Sequence, residues 1–191
     1  MPKYPRERGI PIDLPVYGDA EHNIRIYQAI GVLVINWGSD ESLFLAMLQA
    51  LLAGDKPSAI ITWASFHNTA SRLELVRRLA RQHVTDKALR ADLESAITEF
   101  AGCTKTRNFF CHAAYGMDDQ ARLAVAHSIN LSDSDNEASP IRDASRPLDR
   151  ANLQQIVETA RRLADLNPIL WELVARVEHA LQVPPAKRQG A

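Results

Sequence analysis

Apolar residues return at steps of three and four along most of this chain, a period that helices satisfy and strands do not. Ile24, Tyr27, Ile30, Gly31, Val34 and Trp37 open the pattern, and Leu43, Phe44, Met47, Leu48 and Leu51 carry it toward Gly54. At roughly 100° per residue such a set shares one side of a helix, and that side needs a partner to cover it. Gly38-Ser39-Asp40-Glu41 falls in the middle. Ser39 is a good N-cap, so a kink or restart is predicted there, and Gly54 suits a C-cap.

Asp55-Lys56-Pro57-Ser58 reads as a turn, with Ser58 capping a second helix from Ala59 to about Gln82. Ile60, Trp63, Phe66, Ala70, Leu73, Val76 and Leu79 fall near one face of it. Thr85-Asp86 opens a third helix, striped by Leu89, Leu93, Ile97 and Phe100 and expected to reach about Ala113 through Arg107. Between Tyr115 and Pro147 the period changes. Leu123, Val125, His127 and Ile129 alternate with other residues, Ser132 to Glu137 is polar, and residues 140–146 offer a return strand. The simplest reading is a small β-hairpin at about 122–146, with a loop as the alternative.

Asp149 caps a last long helix striped by Leu153, Ile156, Val157, Ala160, Leu163, Leu170, Leu173, Val174 and Val177. Pro168 removes a backbone donor inside it and predicts a kink, and Pro184-Pro185 ends it. The expected fold is therefore mainly α: a bundle of about four to five helices with a small hairpin before the last one. Residues 20–183 form a single domain, flanked by a proline-rich extended arm at 1–19 and a tail at 184–191.

Composition narrows the function classes. A chain of 191 residues with 46% hydrophobic and 24% charged residues has material for one core. A net charge of -1 removes the bulk electrostatic case for wrapping duplex DNA, although a local basic patch is compatible with it. Cys103 and Cys111 stand without a CxxC pair, which argues against a disulfide framework or a zinc knuckle. The longest apolar run, Ile30 to Ile35, is far short of the ~20 residues a bilayer span requires, and no association with a membrane is expected. The polar start lacks the apolar stretch of a secretory leader, so the expected location is cytoplasmic. No HExxH and no glycine-rich phosphate loop occur, and neither a metal nor a cofactor is expected.

One segment carries side chains suited to chemistry: Arg107-Asn108-Phe109-Phe110-Cys111-His112. On a helix, Asn108 and His112 lie about 40° apart, and Arg107 about 140° from His112 with a stem long enough to swing back. Thr104, Cys111 and Tyr115 share the arc. A permanent cation, an amide and an imidazole suit phosphodiester cleavage without a metal. Arginine grips phosphate oxygens bidentately, histidine moves a proton, and RNA brings its own 2′-hydroxyl nucleophile. The plainer reading pairs Arg107 with a carboxylate such as Glu41 or Glu74 and lets His112 close the helix end. Phe109 and Phe110 read as core, Cys111 sits at the wrong helix end for a lowered pKa, and Arg72, Arg77, Arg78 and Arg81 read as a solvated face.

Arg107-Asn108-X-X-X-His112, with Gly116 shortly after, resembles the motif of the HEPN family of helical RNA-cleaving and RNA-binding domains. The likeness spans roughly residues 22–116, including Trp37–Glu41 on the first helix and Ser71-Arg72-Leu73-Glu74 on the second. It implies a metal-independent ribonuclease in which Arg107 contacts phosphate, His112 is the acid or base and Asn108 orients them. It further implies that Glu41 steadies the arginine, and that two copies form a homodimer with the motifs facing one another. His67 and Tyr115 are weaker candidates for lining the cleft. The alternative within the same resemblance is a non-catalytic binding domain with a protein partner, such as a toxin–antitoxin or defence component.

Overall fold

The computed structural model describes residues 20–52, 56–131 and 141–182. The arm expected at 1–19, the tail at 184–191, the Gly54 cap and the polar turn at 132–137 lie outside them. Helix α1 spans Ala20–Leu52 and runs through Gly38 and Ser39 without the predicted restart. Ser39 and Ser42 do not cap anything. Their hydroxyls donate back to the carbonyls of Ile35 and Gly38, one turn earlier, which leaves the helix intact.

The predicted helix from Ala59 to Gln82 is two helices, α2 (Lys56–Ala64) and α3 (Thr69–His83). Asn68 makes the break. Its backbone is extended, and its side chain accepts from the Ser71 N–H at 2.8 Å, satisfying an otherwise unpaired donor of the new helix. Helix α4 (Lys87–His112) begins at Asp86, whose carboxylate accepts from Ala88 N–H, and continues unbroken through Arg107. Helix α5 (Arg150–Gln182) starts at Asp149, which accepts from Asn152 N–H at 2.9 Å, and extends past Pro168.

Between α4 and α5 lies a three-stranded antiparallel sheet in the order β1 (Ala114–Met117), β2 (Leu123–Leu131), β3 (Ile141–Pro147). The expected hairpin is β2–β3. The extra strand, β1, follows α4 directly, through an extended Ala113. Its turn to β2 is built on Asp118, which accepts from the backbone of Gln120 and Arg122, and it carries Ala121 at φ 56°. The start of α1 holds that turn in place: buried Asn23 accepts from Leu123 N–H at 2.8 Å and donates to the Ala121 carbonyl at 3.1 Å.

Helices α1 and α5 pack along each other more extensively than any other pair of elements, with α4 against both. Their shared core includes Leu33, Phe44, Met47, Phe100, Ile156, Leu163 and Leu170, none of them exposed. Each such side chain contributes about 1.5–3 kcal/mol relative to water. Phe100 touches Trp37 and Phe44, with ring centroids 5.6 and 4.9 Å apart. Two polar contacts cross the α1–α5 seam. Asn36 donates to the Ala160 carbonyl, and Asn167 donates to Oδ1 of the fully buried Asp40 at 2.7 Å.

Candidate functional site

Arg107 lies in the last turn and a half of α4, on the line of Leu93, Phe100 and Thr104 that faces the core. A guanidinium there meets α1, and it stacks on Trp37 with its central carbon 4.1 Å from the ring centroid. The platform is fixed. Trp37 Nε1–H donates to Thr104 Oγ1 at 2.9 Å, Thr104 in turn donates to the Phe100 carbonyl, and the indole stacks on Phe100. Arg107 Nη1–H donates to Asn108 Oδ1 at 3.0 Å, while its Nε–H is buried without an acceptor. No carboxylate pairs with it among the described residues.

The expected partners are engaged elsewhere. Glu41 accepts from Arg72 at 3.0 Å and from the Thr69 hydroxyl, so it does not steady Arg107 as the resemblance implied. Arg72 also donates to the Trp63 carbonyl and lies over the Trp63 ring. Glu74 is held by Arg77 and Arg78, which keep its carboxyl below the usual range. The arginine run expected as a solvated face keeps Arg78 and Arg81 exposed and is also tied into carboxylates: Arg77 reaches Glu94, and Arg81 lies 3.6 Å from it.

Asn108 and His112 are both exposed, on successive turns of the helix. Asn108 and His112 thus share the exposed side of the C-terminal end of α4, and Asn108 accepts from the half-buried Arg107 guanidinium beside them. Cys111 sits inside the arc as a half-buried thiol whose pKa is raised by burial, only partly offset by Arg107. It stays protonated at neutral pH and is no nucleophile. Tyr115 is likewise no free ligand group. Its hydroxyl donates to the Phe110 carbonyl, one of those left open by the end of α4, and burial pushes its pKa up to about 12. The contact locks the bend from α4 into β1 and so fixes where His112 points. His67 is exposed in the turn between α2 and α3, on a different segment from the Arg107 arc.

Trp37 and Arg146 are the residues the motif does not announce. Arg146, on β3, stacks over Phe109 at 4.1 Å and donates to Gln155. It brings a second cation to the end of α4. Two shallow clefts of about 360 and 370 Å³ lie away from this end. One is lined by Arg77, Arg81, Arg90 and Glu94, the other by Asp86, Glu172, Arg176 and His179. Among the described residues no three His, Cys, Asp or Glu side chains are grouped as a metal would require, and no single helix is long and apolar enough to cross a membrane. Compared with family models, curated proteins and solved structures, the chain matches none.

Proposed function

We propose that the chain is a HEPN-type, metal-independent ribonuclease that acts through Arg107 and His112, with Asn108 orienting them. One observation carries this reading. Arg107 is a half-buried guanidinium stacked on a rigid indole, with no carboxylate partner and an unsatisfied Nε–H. A buried donor without an acceptor costs about 1–3 kcal/mol, and more when the group is charged. A phosphate that draws the guanidinium outward over Asn108 supplies the missing acceptor and a counter-ion together. That movement carries the cation toward His112, whose imidazole serves as the acid or base at the same phosphodiester. The protein acts as a homodimer in this reading, doubling the positive charge at the cleft of a chain whose net charge is only -1.

The experiment is cleavage of a mixed RNA pool in excess EDTA. The wild type yields 2′,3′-cyclic phosphate ends, and His112→Ala lowers the rate at least about a hundredfold with an unchanged melting temperature, since His112 is exposed. Arg107→Ala lowers it similarly. Equal cleavage by the variants contradicts the proposal. A second reading, a non-catalytic domain that binds a protein, is favoured by one observation: most of the arginines on α3 are already paired with glutamates, which leaves little free charge to attract RNA. That reading predicts no cleavage of any pool, and an RNA affinity insensitive to Arg107.

A further inference from the structure

We infer that His127, anchored by Ser145 on the outer face of the sheet, is the second proton-transfer residue of the Arg107–His112 site. The inference rests on the ribonuclease reading and adds to it a residue outside the motif.

The register makes the case. Ala114, His127 and Ser145 lie opposite one another on the three strands, and Tyr115, Ala126 and Arg146 form the next row. Ala126 is fully buried and Tyr115 reaches Phe110, so that second row faces the helices. Side chains alternate along a strand, and the first row therefore faces out, where Ala114, His127 and Ser145 are all exposed. His127 Nδ1 lies 2.7 Å from Ser145 Oγ, which fixes the ring. Its other nitrogen, Nε2, lies above Gly116, where a Cβ would come 3.9 Å from it. Gly116 has no side chain to cover it.

His112 lies close by along the chain. Ala113 is extended, at φ -75° and ψ 145°, and packs on the core. His112 is exposed and stands two residues before Ala114, the register partner of His127. Two extended steps and one antiparallel pairing put the Cα atoms of His112 and His127 within about 12 Å.

RNA transesterification needs two proton transfers on opposite sides of phosphorus, and one imidazole is poorly placed for both. The neutral His112 ring accepts the 2′-hydroxyl proton as the O2′–P bond forms. The P–O5′ bond breaks, and protonated His127 passes its Nε2 proton to the departing O5′ while its Nδ1–H donates to Ser145 Oγ. The products are a 2′,3′-cyclic phosphate and a 5′-hydroxyl. Exchange with water returns one proton to His127 and removes one from His112.

The test uses the full chain and two substrates: a short RNA, and a nucleoside 3′-nitrophenyl phosphodiester whose phenolate departs without a proton. His127→Ala is expected to lose about a hundredfold or more on RNA but under about tenfold on the nitrophenyl ester. His112→Ala loses both, and Ser145→Ala weakens RNA cleavage alone. If His127→Ala cleaves RNA like the wild type while His112→Ala does not, this inference falls and the ribonuclease reading stands. Equal losses on both substrates overturn the acid role. A wild type that cleaves neither substrate sinks the ribonuclease reading and His127's role with it.

Discussion

Replacing Asp40 by asparagine reports on the α1–α5 seam through a pH dependence of defined sign. The Asp40 carboxyl is fully buried, with Oδ1 held by Asn167 and Oδ2 without a partner. Burial raises its pKa from 3.8 to about 6, against a smaller lowering by the Asn167 hydrogen bond. Between those values the folded protein binds a proton that the unfolded chain has released. Stability is therefore fully present below the unfolded value and falls as pH rises through the folded one. The total is roughly 3 kcal/mol, at about 1.4 kcal/mol per pH unit of displacement.

Asp40→Asn keeps the acceptor for Asn167 and removes the titration. Its amide hydrogens lack an acceptor at the Oδ2 position, which adds a constant offset but no pH dependence. Urea unfolding followed by far-UV circular dichroism from pH 4 to pH 8, at constant ionic strength, measures both proteins. The stability of the variant relative to the wild type should climb by about 2–3 kcal/mol between pH 4 and pH 7 and then level off. A difference that stays flat across that range, or that moves the other way, refutes the assignment of Asp40 as a carboxyl held neutral by its surroundings.

Tyr115→Phe removes the hydrogen bond that closes the end of α4. It should cost about 1–2 kcal/mol in urea unfolding, and in an RNA cleavage assay it should lower kcat more than KM by letting His112 drift. Gly116→Ala should destabilise by about 1–3 kcal/mol, because the added Cβ would lie 2.8 Å from Val125 Cγ1 across the sheet, and thermal unfolding checks it. Full stability of the alanine variant would mean that β1 is free to move off β2.

The long helices were readable because their apolar stripes are unbroken. Helices α4 and α5 lie close to where Asp86 and Asp149 placed their starts. The break between α2 and α3 was hidden because Phe66 and Ala70 keep the helical period across it, with no glycine or proline to punctuate it. Asn68 as an N-cap was the available signal. Strand β1 was missed for a different reason: Ala114–Met117 is too short to display alternation, and it exists only by pairing with β2. Arg107, Asn108 and His112 lay in plain view, but their setting did not. Trp37 meets Arg107 only after α1 and α4 pack, and Glu41 found Arg72 on α3 rather than the arginine of the motif. Sequence spacing placed side chains around one helix. It could not say which neighbour each would meet.

The central claim is that the Arg107 guanidinium awaits a phosphate, and the Arg107 Nε–H resonance reports on it directly. Nitrogen–proton NMR with a 2′-O-methyl oligonucleotide, which binds without being cleaved, follows that signal, identified by its loss in Arg107→Lys. The account predicts a large shift and slowed solvent exchange at saturation, with little change in the Arg77 and Arg162 signals, whose guanidinia are already held by Glu74, Glu94 and Glu99. An Arg107 Nε–H signal unmoved by a ligand that demonstrably binds would contradict it.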